Sequence, residues 1–182
     1  MSTVDTNAAG VAADDSKNVA AGTNENPFNL NTGVYSTDVS DSLNVSFPLP
    51  DGYGWTPVFD RFVSPYNGLN VWKLKYESIL SDPNWENFLI RCSGTDYPTI
   101  EAWKEHYKDS SIGTYIDRTS EETMTFGANT YLSYSYGGSF PDARSFVLIV
   151  DGAYEFQLTA FNYANTKDAV AAILSNVTFT RK

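Results

Sequence analysis

Trp55, Tyr66 and Trp85 are the residues whose type and setting best suit binding chemistry. All three fall in stretches punctuated by Pro and Gly, where a large ring has less core to fill and can stack on a sugar or on a partner's side chain. The competing account is that they lid an open sheet end, a common use of big aromatics. Tyr131 is ambiguous in the same way, being exposed if Leu132, Tyr134 and Tyr136 face inward.

Residue types that carry catalysis are sparse. His106 is the single histidine, and the run Glu101-Ala102-Trp103-Lys104-Glu105-His106 has no second histidine to complete a zinc helix. As a lone helical histidine one residue off the apolar face, it reads as a surface or boundary residue, and a Ser-His-Asp triad through it has little support. The carboxylate pairs Asp14-Asp15 and Glu121-Glu122 resemble acid and base partners for glycoside hydrolysis. However, neighbours on a strand point to opposite faces, and solvated charge is the simpler reading. Asp82, Asn84 and Glu86 alternate oxygen ligands without the glycine and terminal glutamate of a calcium loop. Cys92 is the only cysteine, so no disulfide can form within the chain. Alternation puts Cys92 on the inner side of a strand with Phe88 and Ile90, as an inert thiol. Asn44-Val45-Ser46 and Asn176-Val177-Thr178 match the glycosylation acceptor pattern, but both fall on predicted strands and read as chance matches. No catalytic residue, metal or cofactor is expected.

The elements that must position these residues begin after a break in composition. The first 27 residues contain no aromatic side chain, whereas the whole chain holds 12 Tyr, 11 Phe and 4 Trp. Residues 1–27 are therefore expected to be a disordered tail, and 28–182 a single domain. A connecting stretch leads to a first core strand over 42–47, with Leu43, Val45 and Phe47 facing one way. Pro48, Pro50 and Asp51-Gly52 end it, and a loop-rich stretch runs to Gly68. Strands follow at 71–78 and 88–92. Thr99 caps a helix to Lys108 whose Ile100, Trp103 and Tyr107 recur at helical spacing. Strands at 113–118, 122–126 and 130–136 come next, and Asp151-Gly152 joins 144–150 to 153–161 as a two-residue hairpin turn. Asn165 or Thr166 caps a helix through Leu174, and 177–179 closes as a short strand. Helices set apart from a long antiparallel meander argue for an α+β fold, a central antiparallel sheet flanked by two main helices.

The net charge of −10, with Lys and Arg scattered, argues against nucleic acid as a partner. No run approaches the roughly 18 apolar residues of a membrane-spanning helix. The stretch Ala8 to Ser16 is like the spacer that follows the lipid-bearing cysteine of bacterial lipoproteins, so an anchor upstream and an extracytoplasmic location are expected.

The landmarks in order resemble the PsbP/Mog1-like superfamily, bacterial lipoprotein members included. They are Phe47-Pro48-Leu49-Pro50-Asp51-Gly52-Tyr53, Thr99-Ile100-Glu101-Ala102-Trp103, Phe126-Gly127-Ala128-Asn129-Thr130-Tyr131, the run Phe146 to Phe156, and Ala172 to Phe179. The resemblance spans about residues 42–180 and implies a central antiparallel sheet with flanking helices, in a largely non-catalytic family that binds partners or assists assembly. The expected function is a non-catalytic binding or assembly module of a cell-envelope or secreted lipoprotein, monomeric, with a protein or glycan partner. The alternative is a small carbohydrate-binding or carbohydrate-processing domain using the loop aromatics, and a third reading is an enzyme using His106.

Overall fold

In a computed structural model of the chain, residues 33–58, 67–73, 87–108, 116–136 and 142–182 are described. The expected tail, residues 1–27, lies outside them. Among the described residues there are two antiparallel sheets and two helices, an α+β arrangement. The smaller sheet has the order β1-β2-β10, from β1 (Val34–Ser40), β2 (Leu43–Pro48) and β10 (Thr178–Arg181). The larger has the order β3-β4-β5-β9-β8-β7-β6. Its strands are β3 (Tyr53–Val58), β4 (Asn67–Lys73), β5 (Asn87–Gly94), β6 (Ile116–Phe126), β7 (Asn129–Tyr136), β8 (Arg144–Val150) and β9 (Tyr154–Phe161). The helices are α1 (Ile100–Lys108) and α2 (Tyr163–Asn176).

The described strands thus divide between a large sheet and a small one. Residues 34–40, taken as a connection, pair with β2 along its length. The closing segment pairs with the other edge of β2, so β2 lies between the first and last described strands. β3 corrects the loop expected before Gly68, and β4 begins four residues earlier than the strand expected from Val71.

Alternation accounts for the main core. Leu43, Val45 and Phe47 are buried while the residues between them are half-buried. Val45, Phe47, Phe88, Ile90, Cys92, Phe146, Phe156 and Leu158 pack with Val170, Ile173 and Leu174 of α2, the spacing of one helical stripe. A second cluster sets Trp103 of α1 against Leu132, Tyr134 and Val147. Tyr131 joins the first cluster and Leu132 the second, so β7 is buried on both sides. This resolves the ambiguity of Tyr131 toward the core: its ring is fully buried, and its hydroxyl donates to the Leu174 carbonyl at 3.0 Å.

The turns follow residue chemistry. Asp151 and Gly152 adopt φ of 55° and 68°, the positive angles this dipeptide tolerates. The loop holds three residues, since Val150 pairs with Tyr154, and Ala153 N–H donates back to the Val150 carbonyl at 3.1 Å. β6 is one strand with a register shift between Asp117 and Glu122, which is why its sequence pattern breaks there. At the shift, Ser120 Oγ accepts the Ser135 N–H at 2.7 Å. α2 starts two residues before Asn165. Asn162 carries no capping hydrogen bond of its own. The cap is Asp142, which takes Tyr163 N–H on its backbone oxygen at 2.9 Å and Ala164 N–H on Oδ2 at 3.0 Å.

Candidate functional site

The register of the large sheet lines up side chains that are distant in sequence. Arg91 lies opposite Gln157, and Ser93 opposite Glu155. On the far side of β9, Gln157 lies opposite Val147 and Glu155 opposite Ile149, and Val147 in turn lies opposite Leu132. One face therefore changes from polar on β5 and β9 to apolar on β8 and β7.

α1 packs on the apolar part. Thr99 Oγ1 accepts the Ala102 N–H at 3.1 Å and opens the helix as expected, while Arg118 Nη2 donates to the Tyr107 carbonyl near its other end at 3.3 Å. Lys104 pairs with Glu121, tying the helix to β6. Trp103 sits with its ring centroid 4.4 Å from Tyr107 and 5.9 Å from Tyr134. Its Nε1 reaches past the apolar part and donates to Glu155 Oε2 at 2.9 Å.

A cavity of about 100 Å³ lies along this boundary. Arg91, Ser93, Glu155 and Gln157 form its polar side, and Trp103, Tyr107, Tyr134 and Tyr136 its aromatic side. The polar groups are held from beneath. Gln157 Nε2 donates to Tyr134 Oη at 3.1 Å and to Ser145 Oγ at 3.4 Å. Ser145 Oγ donates to Tyr136 Oη at 3.2 Å and lies 2.7 Å from Thr159 Oγ1. Burial raises the Glu155 carboxyl above its ordinary value, and the Trp103 hydrogen bond and the Arg91 charge only partly oppose this. Burial likewise pushes the Tyr134 hydroxyl well above the usual phenol range, helped by the neighbouring Tyr136. With both rings and charged groups on its wall, the cavity can take a small ligand that has an apolar face and hydrogen-bonding edges.

The residues singled out in the sequence divide between the described part of the chain and the rest. Trp55 lies on β3 opposite Val71, on a strand and not in the expected loop. Tyr66 and Trp85 lie outside the described residues, as do Asp82, Asn84, Glu86 and the pair Asp14-Asp15. His106 is exposed and stacks on Tyr97 with 4.2 Å between centroids. Cys92 is buried, and burial pushes its thiol up to about 12, with the Glu155 charge adding to the shift. Glu121 and Glu122 part as adjacent strand residues should, the first to Lys104 and the second to Arg144. Asn44 Nδ2 donates to Asp38 Oδ1 within the small sheet. Asn176 ends α2, not a strand, and donates to the Ala172 carbonyl. Among the described residues, no three His, Cys, Asp or Glu side chains come together as a metal site, and no helix is long and apolar enough to cross a membrane.

Sequence reasoning missed Ser93, Glu155 and Gln157. A signal was present: the residues that alternate with Phe156, Leu158 and Ala160 on β9 are polar, as are those that alternate with Ile90 and Cys92 on β5 after Leu89. Two half-polar strands that pair must bring those residues together.

No family model and no curated protein matches the chain. Two solved structures are similar to it in chain path. The cyanobacterial PsbP of Synechocystis is 12% identical with a TM-score of 0.47, covering 89% of this chain and 98% of its own. LpqN of Mycobacterium tuberculosis, described as involved in cell envelope biogenesis, is 18% identical with a TM-score of 0.45, covering 81% of this chain and 91% of its own. The chain is thus similar to a PsbP and to LpqN, and no residue's role is carried over from either.

Proposed function

We propose that the protein is a non-catalytic binding module of the bacterial cell envelope, and that it takes its ligand at the cavity between α1 and strands β5 and β9. The observation that carries this reading is the Trp103–Glu155 hydrogen bond, which fixes a partly buried carboxylate at the meeting of an aromatic and a polar wall. A group held this way from two elements is pre-organised to bind. A nucleophile paired with a base would favour an enzyme. However, the Cys92 thiol is buried and the exposed His106 is stacked on Tyr97, outside the cavity.

The large sheet acts in this reading as a central platform with the helices on opposite faces, since Phe146 packs with the α2 cluster and the adjacent Val147 with Trp103. The envelope location rests on the composition of residues 1–27, which suits a spacer between a lipid anchor and a folded domain. Trp55, Tyr66 and Trp85 remain a second, separate binding proposal.

The test is to fill the cavity. Ser93→Trp adds a large ring at its polar wall, and the full chain is sedimented with purified cell-envelope material of its own host. The reading expects the wild type to co-sediment and Ser93→Trp to lose most of that binding while keeping its melting temperature. Equal binding by the two, or by neither, overturns it.

A further inference from the structure

The cavity carries both signs of charge within one small space. A cationic ligand placed against Glu155 meets Arg91, and an anionic one placed against Arg91 meets Glu155, so each pays for the group of its own sign. A lipid chain is no better, because an acyl tail along this wall would set hydrocarbon against the charges of Arg91 and Glu155 and offer them no hydrogen bond of its own. A volume of about 100 Å³ is also well under the roughly 300 Å³ at which drug-sized pockets begin. It has room for one small ring or part of one.

A neutral ligand with several hydroxyls meets none of these objections. Arg91 brings a planar fork of donors, and Glu155 brings two carboxylate oxygens, one of which, Oε2, accepts the Trp103 N–H. Gln157 presents an amide whose nitrogen is bonded to Tyr134 and Ser145, so its carbonyl oxygen is the acceptor on offer. The flat guanidinium and carboxylate, each with polar atoms side by side, match pairs of neighbouring hydroxyls, and the Gln157 oxygen accepts from one more. Tyr107 and Tyr136, both half-buried, offer ring surface for the C–H face of the same molecule.

We propose that the ligand of this cavity is a single neutral sugar ring, bound through adjacent hydroxyls to Arg91, Glu155 and Gln157 with its C–H face toward the tyrosines. This rests on the reading of the cavity as the binding site. It moves the carbohydrate chemistry expected of the loop aromatics to the α1 face of the large sheet.

The four tryptophan indoles of the full chain, at positions 55, 72, 85 and 103, give a direct readout by nitrogen–proton NMR, with Trp103→Phe assigning the cavity signal. The probes are glucose, galactose and N-acetylglucosamine as neutral sugars, choline as a cation and decanoate as a lipid-like anion. The proposal expects at least one sugar to move the Trp103 indole saturably. It expects Gln157→Ala to raise that dissociation constant about tenfold, the loss of roughly 1.4 kcal/mol. Arg91→Lys, which keeps the charge and removes the fork, is the second variant if Gln157→Ala fails to fold, and the same weakening is expected of it. If choline or decanoate moves Trp103 and no sugar does, the sugar class is overturned while the cavity remains the binding site. If sugars move Trp55 or Trp85 and leave Trp103 unchanged, or if no probe moves any indole, both the sugar class and the cavity are overturned.

Discussion

Glu155 combines the two demands on this molecule, because burial works against its charge while a ligand site needs its oxygens. Its folded-state carboxyl lies above the ordinary value of 4.5, so between those two values the folded protein binds more protons than the unfolded chain. Its contribution to stability is then full below the unfolded value and is lost as pH rises through the folded one. Glu155→Gln keeps an oxygen for Trp103 Nε1 and cannot ionise. The variant should melt above the wild type at pH 7 to 8, with the gap closing toward pH 4, as followed by circular dichroism. A wild type more stable than the variant at pH 7 would mean that the attraction of Arg91 outweighs desolvation. Trp103→Phe keeps most of the ring and deletes the donor, which should cost about 1–3 kcal/mol by leaving a partly buried carboxylate short of a partner. Denaturant melts measure it directly. Cys92, with its thiol pushed up to about 12, should resist an aromatic disulfide reagent at pH 8 in the native protein and react on unfolding. Rapid labelling of the folded chain would contradict the burial assigned to it.

Elements were legible where local chemistry and tertiary setting agreed. The Thr99 cap, the stripe Ile100, Trp103 and Tyr107, and the Asp151-Gly152 hairpin are all local signals, and the structure keeps them. The missed strands had weak local signals: β1 is polar and half-exposed, and β3 holds Gly54 and Pro57. What makes them strands is pairing, with β2 for the first and β4 for the second. The start of α2 failed for a similar reason, since its cap is supplied by Asp142, which no rule about neighbouring residues can find. Asp142→Ala should therefore cost about 1 kcal/mol, near the middle of the range for lost caps, although the residue lies outside the helix. A melting temperature unchanged by the substitution would show that the backbone contact alone suffices. Gly127 shows the same dependence on distant contacts. Its φ is +56°, and a Cβ there would lie 2.3 Å from the Ser175 carbonyl oxygen at the end of α2. Gly127→Ala should destabilise by more than the roughly 1 kcal/mol of a simple glycine effect, because backbone must move as well. Thermal melts compared with Ala128→Gly at the same turn would separate strain from flexibility.

At the scale of the whole molecule, α+β was readable from the order of elements, but the division into two sheets was not. That division depends on the N-terminal and C-terminal described strands pairing with opposite edges of β2, and nothing in either segment names its partner. The cavity was illegible for the same reason. Its aromatic side was readable as an apolar helix stripe and an alternating strand, but its polar side exists only because β5 and β9, more than sixty residues apart, are neighbours. Both strands turn polar residues to the side of the sheet on which α1 packs, and the helix covers the apolar part of that face on β7 and β8. In the proposed function the ligand is met on this face and not on the face of α2 and the small sheet. Hydrogen–deuterium exchange of the full chain, with and without saccharide fragments released from the host's envelope, tests it most directly. Slowed exchange confined to α1, β5 and β9 is the predicted result, and slowed exchange confined to α2 or the β1-β2-β10 sheet, or no change anywhere, would contradict it.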